Sequence, residues 1–367
     1  MDRYARHNLI DWFSQDALAG MTIAVIGAGA VGNEVIKNLA LLGAGHIFVF
    51  DFDRIEPHNL TRSVLFREGD IGGWKAQVAA ARAQELDPNI EVTAHVGDFW
   101  SLLSLRDLKA YDVVFCCVDN FEARIRCNMM CILAGVDLVN LGIDSRFSVV
   151  EAFRFSSSAD SACYECSLPD SVYQRMAQRY SCGHLRKASF IERKIPTTIV
   201  TSGTAAALGV SMGLRLGSDK EVEATRVLVD TISGASTRTG LVRNPICPAC
   251  GRLPASPPLL TCGRHMGNLD LAHDPAAITV TFSEPILTGY RIGGDYITVF
   301  KRASDFDDSY ASQLADNPEA VDIEIRDQFS FAELISTFGH HPVPAKFAIV
   351  EADGRSIVFE FQGDMDV

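Results

Sequence analysis

MTIAVIGAGAVGNEVIKNLALLGAGHIFVFDFD, residues 21–53, reads as strand, glycine turn, helix and strand. Thr22 to Ile26 is a short apolar, β-branched run of the kind buried in a parallel sheet. Gly27, Gly29 and Gly32 follow at once, and Asn33 to Leu42 has helical composition. Glycine suits this turn because the chain bends tightly and a ligand must come close to bare amides. The helix start then offers free N–H groups and a positive dipole end to a phosphate. Ile47 to Phe50 is a second strand, ending in Asp51 with Asp53 just beyond. An acid at the second strand tip, about 20 residues past the glycines, suits a ribose hydroxyl. Together these features predict a nucleotide-binding βαβ unit, and so an α/β protein with a Rossmann-like sheet flanked by helices. Up to Asp51, a nicotinamide dehydrogenase and an ATP-binding protein would look alike.

The next stretch separates them. Residues 52–62, FDRIEPHNLTR, form a polar loop at the carboxyl end of a strand, where open α/β sheets bind ligands. Asn59 and Arg62 in it suit ribose and phosphate oxygens. A helix then runs from about Lys75 to Glu85. A lysine at a positive helix end is disfavoured unless an anion is near. Alone, Lys75 would read as a surface residue; as one of a set with Arg62 and the glycines, that reading weakens.

Ile90 to His95 and Asp112 to Val118 are further strands, the second ending in Asp119-Asn120. A strand-tip acid there suits a magnesium ion or the partner of an attacking group. Cys116 and Cys117, and Cys127 and Cys131 on a helix, read as packing residues. Leu138 to Ile143 and Val149 to Phe155 continue the sheet, and Pro196-Thr197-Thr198 opens a helix rich in small residues.

Cys163 and Cys166 make one Cys-x-x-Cys pair, and Cys247 and Cys250 a second. Two such pairs suit a tetrahedral four-thiolate zinc site, structural because no coordination position stays open. A redox Cys-x-x-Cys is the rival reading. Between the pairs, Cys182 lies near His184, Arg186 and Lys187. Basic neighbours favour thiolate, so Cys182 stands as nucleophile or as inert loop cysteine, and local sequence leaves both open.

Residues 253–274 carry Pro254, Pro257, Pro258 and Gly263 and read as a linker. Residues 275–367 then show alternating strands at Ile278–Phe282, Tyr296–Lys301, Val321–Ile325, Phe347–Glu351 and Ile357–Phe361, with a helix at Phe331–Phe338. This predicts a small C-terminal α+β domain after a larger nucleotide-binding domain over residues 1–252.

The chain has 367 residues and a net charge of −13, which argues against nucleic-acid or anionic-membrane partners. MDRYARHNLIDWF, at the start, lacks a signal-peptide core. No run of about 18 apolar residues stands out, so no membrane span is expected. Ten cysteines without an export signal fit a reducing, cytoplasmic setting.

Gly27 to Gly32, Asp51 to Asp53, Asn59-Leu60-Thr61-Arg62, Lys75, Cys116 to Asn120 and the paired cysteines, in this order, resemble the ThiF/MoeB-type adenylyltransferases of the ubiquitin-activating (E1-like) superfamily. The resemblance covers about residues 1 to 252 and leaves out the last hundred or so. It implies ATP- and Mg2+-dependent adenylation of the C-terminal carboxylate of a ubiquitin-like protein, a sulfur carrier or a peptide. By the same resemblance Asp51 holds the ribose, Asn59, Arg62 and Lys75 the phosphates, and Asp119 the magnesium. Asn120 and Asp53 lie in the same nucleotide-binding motifs. Arg6 matches an arginine that reaches the other subunit's site, which implies a homodimer. Cys182 matches the cysteine that takes the acyl group or its sulfur. Asn-Leu-Thr-Arg-Ser replaces the family's usual Asn-Leu-Gln-Arg-Gln, so contacts around Arg62 are expected to differ. The C-terminal module loosely resembles the ubiquitin-fold domain with which activating enzymes recruit a conjugating enzyme. Two outcomes stay open, thioester transfer through Cys182 to a conjugating enzyme, or sulfur-carrier or peptide activation in biosynthesis.

Overall fold

The computed structural model describes residues 3–12, 14–158, 160–172, 196–217, 223–265, 277–292, 294–305 and 322–363. Two compact units divide the chain: residues 1–168 with 195–256, and residues 169–194 with 257–367.

In the first unit the strands are β1 Thr22–Ile26, β2 His46–Asp51, β3 Glu91–Val96, β4 Val113–Cys116, β5 Asp137–Ile143, β6 Phe147–Phe153, β7 Thr225–Asp230 and β8 Ser236–Gly240. They form one sheet in the order β3-β2-β1-β4-β5-β6-β7-β8. The pairs from β3 to β5 are parallel, and those from β5 to β8 are antiparallel. The helices are α1 Gln15–Ala19, α2 Ala30–Leu42, α3 Lys75–Leu86, α4 Phe99–Leu102, α5 Leu105–Leu108, α6 Phe121–Ala134 and α7 Ile199–Gly217. The chain first winds from β1 to β2 to β3, and then returns to place β4 on the other side of β1. That reversal opens a crevice beyond the carboxyl ends of β1 and β4, where such sheets take their ligands.

Alternation along the strands gives the sheet two unlike faces. Val25, Phe115, Val139, Leu141 and Val150 are buried in one core with Val35, Ile36 and Leu39 of α2 and Ala205, Ala206 and Val210 of α7. Each such side chain contributes about 1.5–3 kcal/mol when fully buried. α7 has 19 residues and is long and apolar enough to cross a membrane, which corrects the expectation that no such apolar stretch is present. Its glycines show what it does instead. A Cβ at Gly209 would stand 2.5 Å from Leu141, and one at Gly213 2.4 Å from Phe115, so this helix lies directly on the sheet.

A 3-10 turn spans His7–Leu9, and α1 starts only after Ser14, whose hydroxyl accepts the Ala17 amide at 3.2 Å. Short polar caps decide helix starts, and Ser14 supplies one. β7 and β8 extend the sheet where no strand was expected. β8, Ser-Thr-Arg-Thr-Gly, is exposed throughout, so it has no buried alternation to read.

The second unit holds β9 Leu259–Gly263, β10 Thr279–Ile292, β11 Asp295–Arg302, β12 Asp322–Ser330, α8 Phe331–Phe338, β13 Phe347–Ala352 and β14 Arg355–Gln362. The sheet order is β11-β10-β13-β14-β9, with β12 also on β10. Phe282, Phe329, Phe331, Leu334, Phe338, Phe359 and Phe361 fill its core. Asp353 and Gly354, with φ of 49° and 72°, turn the β13–β14 hairpin, a geometry that Asp-Gly adopts at low cost. β9 lies inside the expected linker. Leu259–Gly263 pairs in parallel with Val358–Gln362, so the stretch after Pro258 is part of this sheet. The described residues of this module are α+β.

Candidate active site

The glycine turn sits at the crevice. Gly27 has φ of +93°, and a Cβ there would stand 3.0 Å from the carbonyl oxygen of Cys117. The tips of β1 and β4 therefore touch at the crevice through bare backbone. A Cβ at Gly32 would fall 1.9 Å from the Gly27 carbonyl oxygen, so α2 can start this close to β1 only with glycine at that position.

Asp51 braces this turn. One carboxylate oxygen accepts the Ala28 amide at 2.7 Å, and the other accepts the Asp53 amide at 2.8 Å. Burial pushes the Asp51 carboxyl above the ordinary range, and the two amides pull it back. Each oxygen keeps a lone pair for a ribose hydroxyl. A residue missed in the sequence completes the brace. Asn33, fully buried on α2, donates from Nδ2 to the Ala28 carbonyl at 2.7 Å and accepts the Leu65 amide at 2.9 Å. The only sequence signal for it was a polar residue in the apolar first turns of a helix.

The loop after Asp51 closes on itself. The Lys75 amide bonds the Asp53 carbonyl at 3.0 Å, Ile55 bonds Gly73 at 2.8 Å, and Gly72 bonds Ile55 at 2.9 Å. This returns Lys75 to Asp53, and Lys75 Nζ lies 2.7 Å from Asp53 Oδ2. Lys75 is 12% exposed in this pair and Asp53 53%. Arg54 stacks 3.8 Å over Trp74 and donates to the Gly72 carbonyl at 2.6 Å, which stiffens the same closure.

Two expected phosphate ligands are engaged within the loop. Asn59 Oδ1 accepts the Glu56 amide at 2.9 Å, and Arg62 donates to the His58 carbonyl at 2.8 Å. Short polar side chains compete for nearby backbone groups in this way. Asp119 is exposed at the β4 tip, directly before α6. Asn120 caps that helix, its Oδ1 accepting the Ala123 amide at 2.8 Å. The cap engages its Oδ1 acceptor.

Cys116 and Cys127 are fully buried, and the hydrogen bond between the two thiols, with burial, pushes Cys116 up. They are core residues, and thiolate chemistry is disfavoured there.

Cys163, Cys166, Cys247 and Cys250 converge, with all four sulfurs within 4.8 Å of one another. Cys163 and Cys247 are 3.7 Å apart, Cys166 and Cys163 3.9 Å, and Cys166 and Cys250 3.3 Å. A tetrahedron with Zn–S of about 2.3 Å has edges near 3.8 Å, so the set fits zinc. The amides of Cys163 and Asn244 both point at the Cys166 sulfur at 3.4 Å. Hydrogen bonds from Cys163, Cys247 and Cys250 hold the Cys166 thiol well below the usual range. Ile132 of α6, Ala249 and Leu253 wrap the cluster in apolar side chains.

Arg6 is exposed, and its segment is moored away from the glycine turn. Tyr4 lies against Gly43 and donates to Asp87, and Arg3 pairs with Asp87 at 3.2 Å. Gly43 ends α2 and Gly29 begins it, which puts about 20 Å of helix between that mooring and the turn. Cys182 lies outside the described residues.

The family model for the ThiF family matches residues 2–253. The sulfur carrier protein adenylyltransferase of Thermus thermophilus is 30% identical over 259 residues, covering 69% of this chain and 92% of that protein. The SAMP-activating enzyme E1 of Haloferax volcanii is 28% identical over 276 residues, covering 68% of this chain and 89% of that protein. Among solved structures, E. coli MccB with ATP superposes with a TM-score of 0.56 at 24% identity, covering 68% of this chain and 74% of that chain, which shows a shared fold. With a glycine turn, a strand-tip acid and a Lys75–Asp53 pair around one crevice, the chain belongs to the ThiF family and is an E1-like adenylyltransferase.

Proposed function

We propose that the protein uses ATP and Mg2+ to adenylate the C-terminal carboxylate of a ubiquitin-like or sulfur-carrier protein. The observation that carries this reading is the meeting of the Gly27 turn with the Cys117–Asp119 tip at the sheet's reversal point. The carboxylate attacks the α-phosphorus, its oxygen forms the new P–O bond, and pyrophosphate leaves with the electron pair. The chain's task is positioning and charge neutralisation. Asp51 orients the ribose, the amides at the start of α2 face phosphate, and Lys75 leaves Asp53 for a phosphate oxygen. Arg62 leaves the His58 carbonyl for the same purpose. Asp119 would hold magnesium, which when bound neutralises phosphate charge. Zinc on the four cysteines would be structural, as all its positions are filled.

Cys182 then takes the acyl group from the adenylate as a thioester and releases AMP, and a conjugating enzyme recruited by the C-terminal module receives it. A second reading, activation of a sulfur carrier for biosynthesis, is favoured by the Thermus relative, which is matched over nearly its whole length. The test is ATP–pyrophosphate exchange with a panel of ubiquitin-like, sulfur-carrier and peptide C-termini, in wild type and Cys182→Ala. Exchange kept in Cys182→Ala, with its reductant-sensitive adduct lost, is expected. No exchange with any class defeats the adenylation reading, and an adduct that persists in Cys182→Ala defeats the nucleophile.

A further inference from the structure

Three polar residues lie side by side across β5, β6 and β7. Asn140 is the register partner of Glu151, and Glu151 that of Arg226. They occupy the sheet face opposite Val139 and Leu141, by strand alternation. Asn140 is 4% exposed and Glu151 2%. Asn140 Nδ2 donates to Glu151 Oε2 at 2.7 Å, and Arg226 Nε donates to Glu151 Oε1 at 2.7 Å. Arg226 continues outward, donating to Ser167 Oγ at 2.7 Å. At the inner end Arg124 of α6 donates one nitrogen to Asn140 Oδ1 and another to the Val118 carbonyl.

The two ends of this chain of bonds are informative. Val118 immediately precedes Asp119, and Ser167 immediately follows Cys166. α6 is bolted to the same clamp a second time. Asn128 accepts the Tyr164 amide at 3.1 Å and donates to Glu165 at 3.1 Å, both between the first two cysteines. The polarity of the row admits one arrangement. Arg124 only donates and both Glu151 oxygens accept, so the Asn140 amide turns its oxygen to one and its nitrogen to the other. A buried ionic row of this kind is often no more stabilising than apolar residues of similar volume. Its geometric definition is what it adds.

We infer that Arg124, Asn140, Glu151 and Arg226 are positioning residues that hold the Val118–Asp119 turn in register with the four-cysteine clamp. Asp119 is thereby presented to Mg·ATP in one place. This rests on Asp119 as the magnesium-holding acid proposed above, and none of the four residues needs to touch the reacting atoms.

The experiment uses the full metal-loaded chain and reads three quantities: the Mg2+ concentration giving half-maximal pyrophosphate exchange at saturating ATP, the KM for ATP, and zinc per chain. Glu151→Gln leaves one donor of the row without an acceptor. It should raise the Mg2+ midpoint about tenfold, on the scale of one buried hydrogen bond, with zinc retained and the ATP KM within about twofold. Arg124→Ala should do the same, and Arg124→Lys, which keeps the charge and one contact, should recover part of the shift. Folded variants with the wild-type Mg2+ midpoint overturn the inference. If Glu151→Gln does not fold, the comparison of Arg124→Lys with wild type decides it in the same way. Asp119→Ala is run alongside. Exchange lost there while the row variants keep the wild-type midpoint sinks the positioning role and leaves the site reading standing. Normal exchange in Asp119→Ala sinks the site reading itself.

Discussion

Asn33 on α2 accepts the amide of Leu65 at 2.9 Å, although the two are 32 residues apart, and so joins the glycine turn to the loop that carries Arg62. The same side chain holds the Ala28 carbonyl. Asn33→Ala leaves a buried donor and a buried acceptor unpaired, each costing about 1–3 kcal/mol. Urea unfolding should show a loss of roughly 3 kcal/mol, with weaker ATP binding in the folded fraction. A loss below about 0.5 kcal/mol, the range of neutral surface changes, would remove Asn33 from the brace.

Lys75 and Asp53 should respond to substitution with opposite signs. Lys75→Ala removes the cation proposed for phosphate and should weaken ATP binding about tenfold or more, equivalent to about 1.4 kcal/mol. Asp53→Asn frees that cation and removes an acid from the phosphate side, so ATP should bind as tightly or tighter. Calorimetry with ATP, and with NAD as control, checks both. Equal weakening by the two substitutions would show the pair itself to be the binding element, and tight NAD binding without ATP binding would refute the nucleotide assignment.

The four-cysteine clamp should carry one zinc per chain, measured by elemental analysis of protein prepared without chelator. Prolonged chelation should lower the melting temperature by several degrees, because metal-binding energy here is folding energy. The thiols of Cys163, Cys166, Cys247 and Cys250 should resist a thiol reagent until chelator is added. Free reaction of all four in native protein would mean that no closed site exists.

Tyr4, two residues before Arg6, is moored about 20 Å along α2 from the glycine turn, so Arg6 is expected to act, if at all, in the site of a second copy. Arg6→Ala and Lys75→Ala should each be nearly inactive, and mixing them under exchange conditions should restore about a quarter of wild-type activity in a twofold dimer. Half of the pairs are then mixed, and each mixed pair has one intact site. No recovery, in a mixture shown to form mixed pairs, would place Arg6 outside the site.

The βαβ unit was legible because its signals are local. Thr22 to Ile26 is continuously apolar, the glycines answer a steric demand of the turn itself, and Asp51 closes a strand. β8 and β9 were not legible. β8 is an exposed polar edge, and β9 follows Pro257-Pro258, so neither has the alternation that marks a half-buried strand. The candidate nucleotide residues were named from motif order, and that order did not show that Asn59 and Asn120 also bond their own backbone turns. Whether a short polar side chain caps a turn or faces a ligand depends on backbone angles that its identity does not specify.

The sequence by itself determined the residue types that can do this chemistry, the order of the parallel core strands and their helices, and the two cysteine pairs. Each is a property of neighbours along the chain. The tertiary structure alone decided which distant residues meet. It set Lys75 against Asp53, brought Cys163 and Cys166 to Cys247 and Cys250, and laid Asn140, Glu151 and Arg226 in one row. Those encounters follow from strand register and loop closure across dozens of residues. Register is set by how whole faces pack, which no short stretch of sequence contains.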